Sequence, residues 1–573
     1  MRYKKLAELY DELSKTPKRL EKTKILSKFL DEISAEDRDV IYLLLGRIYP
    51  EYDERRIGIS NQIAIKAISK ATGAEKEKIV KEWKSIGDLG KTAEKFTQGK
   101  KQSTLQSHVL TTEKVLENLR KLPVLEGKGT INKKLSLITE LLTSASPIES
   151  LYIIRTLIGD LRIGVQESTI REAIASAFFK DEEKKEASEK IQKAIDRSND
   201  LAEVFELAKK RKLDSFQKIT LEVGKPIKAM LAQKVKTISD GFKALGKPCA
   251  IEYKYDGFRM IIHRKGNEIK LFTRRLENVT KQFPEVVKYL QEYTTGKSYI
   301  LDSEAVGYDK KTKEYKPFQY ISQRIRRKYD IDKLKEELPI ELNVFDVLYY
   351  NGKSQLDEPF IKRTALIKKI VKNHPYKVIH AKQIITSDEK EAEKFYKEAL
   401  KNNQEGVMMK SLDAIYHPGS RVGQMLKIKP EERDLDLVIT GAEYGAGKRS
   451  GWFSSFILSC RDEKGKFLEI GKMGTGIKEK VSEDSEEISF RELTEKIKPL
   501  IIKEKGKRVE IKPKIIVSIT YQEIQRSPNY NSGFALRFPR FTALRQDKPI
   551  SEITTLKEVE EDFEKQKRNY RYG

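Results

Sequence analysis

At 573 residues, with 38% hydrophobic and 35% charged positions, the chain has the composition of a soluble, multidomain globular protein and not of a disordered or fibrous one. Its 113 Lys and Arg against 87 Asp and Glu leave a formal net charge of +26, a field that attracts polyanions, nucleic acid first among them. No apolar run approaches the roughly 18 residues of a membrane span, and two distant cysteines, Cys249 and Cys460, exclude a disulfide framework and a four-thiolate zinc site, as in a reducing cytoplasm.

The opening segment, MRYKKLAELYDELSKT, reads as an amphipathic charged helix and not as a signal peptide. Residues 1–220 continue in that style, with apolar residues three and four apart in KLAELYDEL, NKKLSLITELLTSA and VQESTIREAIASAF. Two segments echo one another, SIGDLGK at 85–91 and LIGDLRIG at 157–164. Glycines at a helix end either cap the helix or let the backbone approach a phosphate, and a pair of such loops would give a pseudo-symmetric grip on a duplex.

From about Pro226 the texture changes to short β-rich runs, including KPCAIEYK, FRMIIHRK, EIKLFTRR, KSYILDSEAV, ELNVFDVLYY and EGVMMKSL. Helical patterns lie between them, so a mixed α/β domain is expected. After KIKPEERDLD the strands LDLVITGAEY, GWFSSFILSC, KFLEIGKMG and KIIVSITYQEI follow closely, in the rhythm of a small barrel, and a charged helical tail closes the chain. Three domains are expected: an all-helical one at 1–225, an α/β one at 226–432, and a β-barrel with a helical tail at 433–573. The glycine-rich GAEYGAGKRS is not a P-loop, because Ala442 replaces the first glycine and Arg449 follows the lysine.

Chemistry concentrates in the middle domain. AIEYKY alternates as a strand, Asp256-Gly257 is a hairpin signal, and FRMIIHRK resumes the strand, so Glu252, Lys254 and Arg259 are expected to share one neighbourhood. A lysine acts as a nucleophile only after losing its proton, which neighbouring cations and partial burial promote. KYDG by itself reads as the tip of a solvated hairpin. In KSYILDSEAVGYD, alternation sends Asp302 and Glu304 to the face opposite Leu301, Ser303 and Ala305, a pattern that suits either a hard cation or plain exposure. Phe345 in ELNVFDVLYY is a core aromatic or a ring on which a base stacks. QEGVMMK places Glu405 before a buried strand and Lys410 beyond it; SRVGQMLKIKP puts Lys427 and Lys429 on one face while Leu426 and Ile428 point inward. A nucleophilic amine, carboxylates for Mg²⁺, a stacking ring and cations for phosphates together suit nucleotidyl transfer through a lysine phosphoramidate.

In that order, KYDGFR, TRR, LDSEAVGYD, FDVLYYNG, EGVMMK and LKIKP resemble the motifs of the covalent nucleotidyltransferases, and nearly the whole chain is similar to the archaeal ATP-dependent DNA ligases, related to the replicative ligases of eukaryotes. The resemblance implies a helical DNA-binding domain, an adenylation domain and an OB-fold. It implies that Lys254 takes AMP from ATP, that AMP passes to the 5′-phosphate of a nick in duplex DNA, and that the 3′-hydroxyl then seals the strand, in replication, repair and recombination. It further implies that Glu252 accepts from the adenine edge, that Arg259 and Arg274 contact ribose or phosphate, and that Phe345 stacks on the adenine. Glu304 would meet the ribose or metal, and Glu405 would help hold Mg²⁺. Arg421, Lys427 and Lys429 would bind phosphates. In ALRFPRFTALRQDK, Arg545 and Lys548 would orient the pyrophosphate, while Ala543 stands where relatives commonly carry another arginine.

An RNA-capping guanylyltransferase or an RNA ligase shares this chemistry but generally lacks the long basic helical domain. NAD-dependent ligases need a zinc module that two distant cysteines cannot supply. A catalytically dead nick-binding scaffold would have lost the nucleophile, whereas Lys254 is present with its companions. A monomer is expected. The resemblance also raises a sliding-clamp contact through KQSTLQSHV (101–109), where Gln102 stands without the usual aromatic pair.

Overall fold

The computed structural model describes residues 1–99, 109–180, 183–327, 329–430, 434–445, 449, 451–479 and 488–572. It divides into two compact units, Met1–Tyr396 with Gln404–Ile428, and Lys397–Asn403 with Lys429–Gly573. Gln102 lies outside the described residues. Among those described, no helix is long and apolar enough to cross a membrane.

The first unit opens with helices running from Tyr3–Lys15 to Leu201–Ala208. On the first of them Leu6, Leu9, Tyr10 and Leu13 are buried, the i, i+3, i+4, i+7 stripe of a helix that packs by one face. These stripes meet in a single core that closes at Phe216 and Ile219. The two GDL segments cap helices and clasp each other. Gly87 ends the helix Lys76–Ile86 at φ 72°, and its carbonyl accepts from Arg162 at 2.9 Å. Asp88 caps the next helix, accepting from the Gly90 and Lys91 amides, and it pairs with Arg155 at 2.7 Å and Arg162 at 3.0 Å. With that aspartate buried at 3% exposure, the ion pairs satisfy its charge, and the loops are joined to each other.

Strands follow in the order β1 (Leu231–Lys234), β2 (Cys249–Lys254), β3 (Phe258–Lys265), β4 (Glu268–Thr273), β5 (Ser298–Tyr308), β6 (Tyr315–Lys316), β7 (Ile340–Tyr350), β8 (Lys353–Ser354), β9 (Val378–His380), β10 (Gln383–Thr386), β11 (Gly406–Ser411) and β12 (Arg421–Ile428). They form two sheets, β1-β12-β11-β2-β10 and β4-β3-β5-β7-β8, the latter with β6 on β5 and β9 on β7. The expected β2–β3 hairpin is therefore corrected. β2 pairs with β10 and β11, β3 pairs with β4 and β5, and Asp256-Gly257 carries the chain from one sheet to the other. A turn signal is local, whereas strand pairing is decided by distant partners. Gly257 is required for a different reason: a Cβ there would lie 2.3 Å from the Ala305 carbonyl oxygen of β5.

Ion pairs join the helical part to the sheets. Lys228 bridges Glu51 (2.6 Å) and Glu167 (3.1 Å), and Arg197 meets Asp357 at 2.8 Å.

The second unit is rich in strands: β13 (Asp434–Tyr444), β14 (Phe453–Arg461), β15 (Phe467–Met473), β16 (Ile501–Lys505), β17 (Arg508–Ile511), β18 (Ile516–Thr520), β19 (Glu523–Arg526), β20 (Phe534–Arg537) and β21 (Arg540–Leu544). β13 serves two partners along one edge, β18 through Asp434–Val438 and β17 through Gly441–Glu443. An irregularity between Ile439 and Gly441 separates the two stretches, and such a break lets one strand turn a barrel corner. Helix Leu556–Tyr572 follows, with Val559 and Phe563 packed in the core of this unit. The expected fold class, helical, α/β and strand-rich in that order, is the observed one. Each unit holds one cysteine, Cys249 in β2 and Cys460 in β14, both fully buried.

Candidate active site

The two sheets of the first unit enclose a pocket of about 380 Å³. One sheet supplies its floor through pleat alternation. Glu252 and Lys254 lie two apart on β2, and the register sets Met408 opposite both Glu252 and Lys427. The side chains of Glu252, Lys254, Met408, Lys410, Met425 and Lys427 thus share one face, and all line the pocket. The other sheet brings Arg259, Glu304 and Phe345, with Arg274 and Arg421 at the lining as well. Lys429 is not among the lining residues; it lies past the end of β12, in the second unit. Lys410, expected beyond its strand, is on β11.

Lys254 ends β2, where the Glu405 amide donates to its carbonyl at 2.9 Å. That bond brings the Glu405 carboxylate to 2.8 Å from Nζ, with both side chains about one-fifth exposed. Sequence reasoning expected cations around this amine; the structure sets a carboxylate against it. Two residues back, Glu252 is buried with both oxygens engaged. Gln383 Nε2 donates to Oε1 at 2.7 Å and Lys410 Nζ pairs with Oε2 at 2.7 Å. Burial pushes the Glu252 carboxyl up, against the pull of Lys410 and Gln383. Arg259 and the Lys410 amine each lie 4.9 Å from the centroid of the Phe345 ring.

The reading of Asp302 and Glu304 as a carboxylate pair on one face needs correction in its chemistry. Asp302 is wholly buried and spent on Arg259, which donates Nε to Oδ1 at 2.7 Å and pairs through NH2 with Oδ2. Tyr416 donates to Oδ2 at 2.7 Å and accepts from the Met230 amide at 3.0 Å. Burial disfavours the Arg259 charge, but Asp302 outweighs it and holds the guanidinium protonated. Glu304, by contrast, receives no side-chain hydrogen bond among the described residues and faces the pocket. Burial pushes its carboxyl from the ordinary 4.5 up to about 8, against the opposing influence of Lys254 and Arg259.

No cluster of three or more His, Cys, Asp or Glu side chains capable of holding a metal occurs among the described residues. Glu304 and Glu405 flank Lys254 as two carboxylates, a donor set that fits Mg²⁺, which takes one or two carboxylates together with substrate phosphates and water. In the second unit, Arg545 and Lys548 converge on Asp436 at 2.8 and 2.7 Å. Ala543, on β21, pairs with Ser518 of β18.

Three family profiles match in order: "DNA ligase N terminus" over residues 2–175, "ATP dependent DNA ligase domain" over 229–429 and "ATP dependent DNA ligase C terminal region" over 449–548. A DNA ligase of Nanoarchaeum equitans is 42% identical over 568 residues, covering 99% of both chains, and one from Thermococcus fumicolans is 39% identical with the same coverage. The chain belongs to the ATP-dependent DNA ligases. In fold it is similar to a solved structure named Pmar-Lig_PreS3, at a TM-score of 0.56 and 20% identity over 94% of this chain and 99% of that one. As an archaeal-type ligase it uses ATP, binds DNA and seals nicks.

Proposed function

We propose that Lys254 is the residue that carries AMP in this ligase, on the strength of one observation: its amine enters the pocket between the two sheets with the Glu405 carboxylate 2.8 Å away. The amine attacks the α-phosphorus of ATP. An N–P bond forms, the bond to pyrophosphate breaks with its electron pair leaving on that group, and the ammonium proton passes to Glu405. An oxygen of a DNA 5′-phosphate then attacks the same phosphorus, returning Lys254 to a free amine. Finally the 3′-hydroxyl attacks the activated phosphate and AMP departs.

Glu252, held rigid by Lys410 and Gln383, accepts from the adenine edge, and Phe345 provides the face for stacking. Arg259, fixed by Asp302, meets ribose or phosphate with Arg274. Arg421, Lys427 and Lys429 bind phosphates, with Lys427 nearest the α-phosphate. Arg545 and Lys548 orient the pyrophosphate. Glu304 and Glu405 would hold Mg²⁺, which supplies charge neutralisation for the transferring phosphoryl group. These roles sit on functional domains at 1–225, 226–432 and 433–573, in a protein that acts as a monomer.

The test is incubation with α-labelled ATP and Mg²⁺, followed by denaturation and peptide mapping. The expected label is AMP on Lys254, absent from Lys254→Ala. A mutant labelled as strongly as the wild type overturns the assignment.

A further inference from the structure

Gln383 stands directly opposite Glu252 where β10 pairs with β2. It is not among the residues that line the nucleotide pocket, whereas Glu252 is. Its Nε2 donates to Glu252 Oε1 at 2.7 Å. The same amide exchanges hydrogen bonds with the Thr364 hydroxyl, donating at 3.2 Å and accepting at 3.3 Å. The reverse amide orientation would press an oxygen against the carboxylate, so the NH2 group is the one that faces Glu252.

Lys410 alone would not fix this carboxylate. An ammonium is a point charge with rotatable donors, and the terminal torsion of a glutamate is soft. A single contact at Oε2 therefore leaves the carboxylate plane free to pivot. The second contact, at Oε1, sets the plane and leaves each oxygen a lone pair to offer. Charge is set along with direction. Glu252 is 3% exposed, and burial pushes its carboxyl toward the protonated form, with Asp346 adding to that push, while Lys410 and Gln383 oppose both. Asp346 is itself paired with Arg363 at 2.7 Å, which offsets its charge.

We infer that Gln383 is a positioning residue that makes this ligase select a 6-aminopurine nucleotide, by holding Glu252 as a fixed acceptor for the exocyclic amino group. The inference rests on the reading that Glu252 accepts from the adenine edge. Adenine presents an N–H donor at position 6, which an ionised, oriented carboxylate satisfies. Hypoxanthine and guanine present a carbonyl oxygen there, and two lone pairs facing each other leave both acceptors unmatched. A carboxylate that pivots or takes up a proton loses this discrimination, because a carboxyl O–H can donate to a 6-oxo group.

The test measures self-adenylation by ATP and by inosine triphosphate in the full-length wild type, Gln383→Leu, Gln383→Glu and Glu252→Gln, beside the thermal midpoint of each. The two nucleotides differ only at the position-6 edge of the base. In Gln383→Leu the expected KM for ATP is about tenfold higher. The maximal rate is retained, because a contact to the base holds ground state and transition state alike. The preference for ATP over inosine triphosphate in kcat/KM should fall about tenfold. In Gln383→Glu two carboxyls within hydrogen-bond reach share a proton, and the preference should fall at least as far. An equal loss for both nucleotides, the mark of a merely structural role, overturns the inference. So does an unchanged preference in both Gln383 variants, and if Glu252→Gln lowers the preference in that case, the Glu252 reading stands by itself. An unchanged preference in Glu252→Gln overturns both.

Discussion

Replacing Asp302 with Asn separates its two readings, as metal ligand or as anchor of Arg259. Asp302 is 0% exposed, accepts two hydrogen bonds from Arg259 and one from Tyr416, and balances a half-buried guanidinium. Removing one partner of such a pair leaves an uncompensated buried charge, at a cost of about 3–5 kcal/mol. Asn keeps the volume and can still accept from Nε, so the lower end, about 3 kcal/mol, is expected. For a domain of some 200 residues, such as the one proposed at 226–432, each kcal/mol moves the midpoint by roughly 2–4 °C, which gives a fall of about 6–12 °C in the thermal transition of that domain, followed by circular dichroism. Tyr416→Phe leaves the Met230 amide without its acceptor and should cost about 1–3 kcal/mol. At 25 °C the Mg²⁺ concentration for half-maximal self-adenylation should be the same in Asp302→Asn as in wild type, and higher in Glu304→Gln. A midpoint lowered by less than about 2 °C, or a Mg²⁺ requirement that rises as in Glu304→Gln, would refute the anchor.

Three further outcomes are expected. Because burial raises the Glu304 carboxyl from 4.5 to about 8, the proton favours the folded state below about pH 4.5, and that contribution is lost as the pH climbs through 8. Glu304→Gln should therefore gain on wild type in urea midpoint across this window, while Mg²⁺ affinity of the wild type rises with pH as the carboxyl ionises; flat profiles for both would contradict the shift. His263, pushed from 6.5 down to about 3 by burial, accepts from the Gly224 amide at 3.0 Å as a neutral ring. Its contribution is complete above pH 6.5 and lost on acidification toward 3, so the fall in urea midpoint over that range should flatten in His263→Asn. Gly257→Ala forces a Cβ against the Ala305 carbonyl oxygen; displacing the sheets by about 1 Å should slow self-adenylation about a hundredfold, and a rate near wild type would show that the turn yields.

Much of this site was legible in the sequence because its parts lie on short strands. Alternation placed Glu252 with Lys254, and Leu426 and Ile428 opposite Lys427, as β2 and β12 require. Other features depend on contacts that no local pattern encodes. Gln383 reaches Glu252 across 131 positions and Tyr416 reaches Asp302 across 114, and neither carries a periodic or motif signal. Alternation gave the face of Asp302 but not its ion pair with Arg259, which stands opposite Glu304 in the register. The Asp-Gly turn was recognised, yet whether its flanking strands pair depends on β5, β10 and β11. The GDL echo was visible, but its two loops are held together through a buried aspartate rather than presented in parallel.

The placement of the sulfur atoms has a practical consequence. One sits in each compact unit, and burial drives the Cys249 and Cys460 thiols up to about 11 and about 12. A brief pulse of an alkylating reagent at neutral pH would pass over the intact molecule and modify each sulfhydryl only when its own strand opens. Digestion and mass spectrometry of the alkylated chain would then give two independent opening clocks from the natural sequence, with no probe introduced.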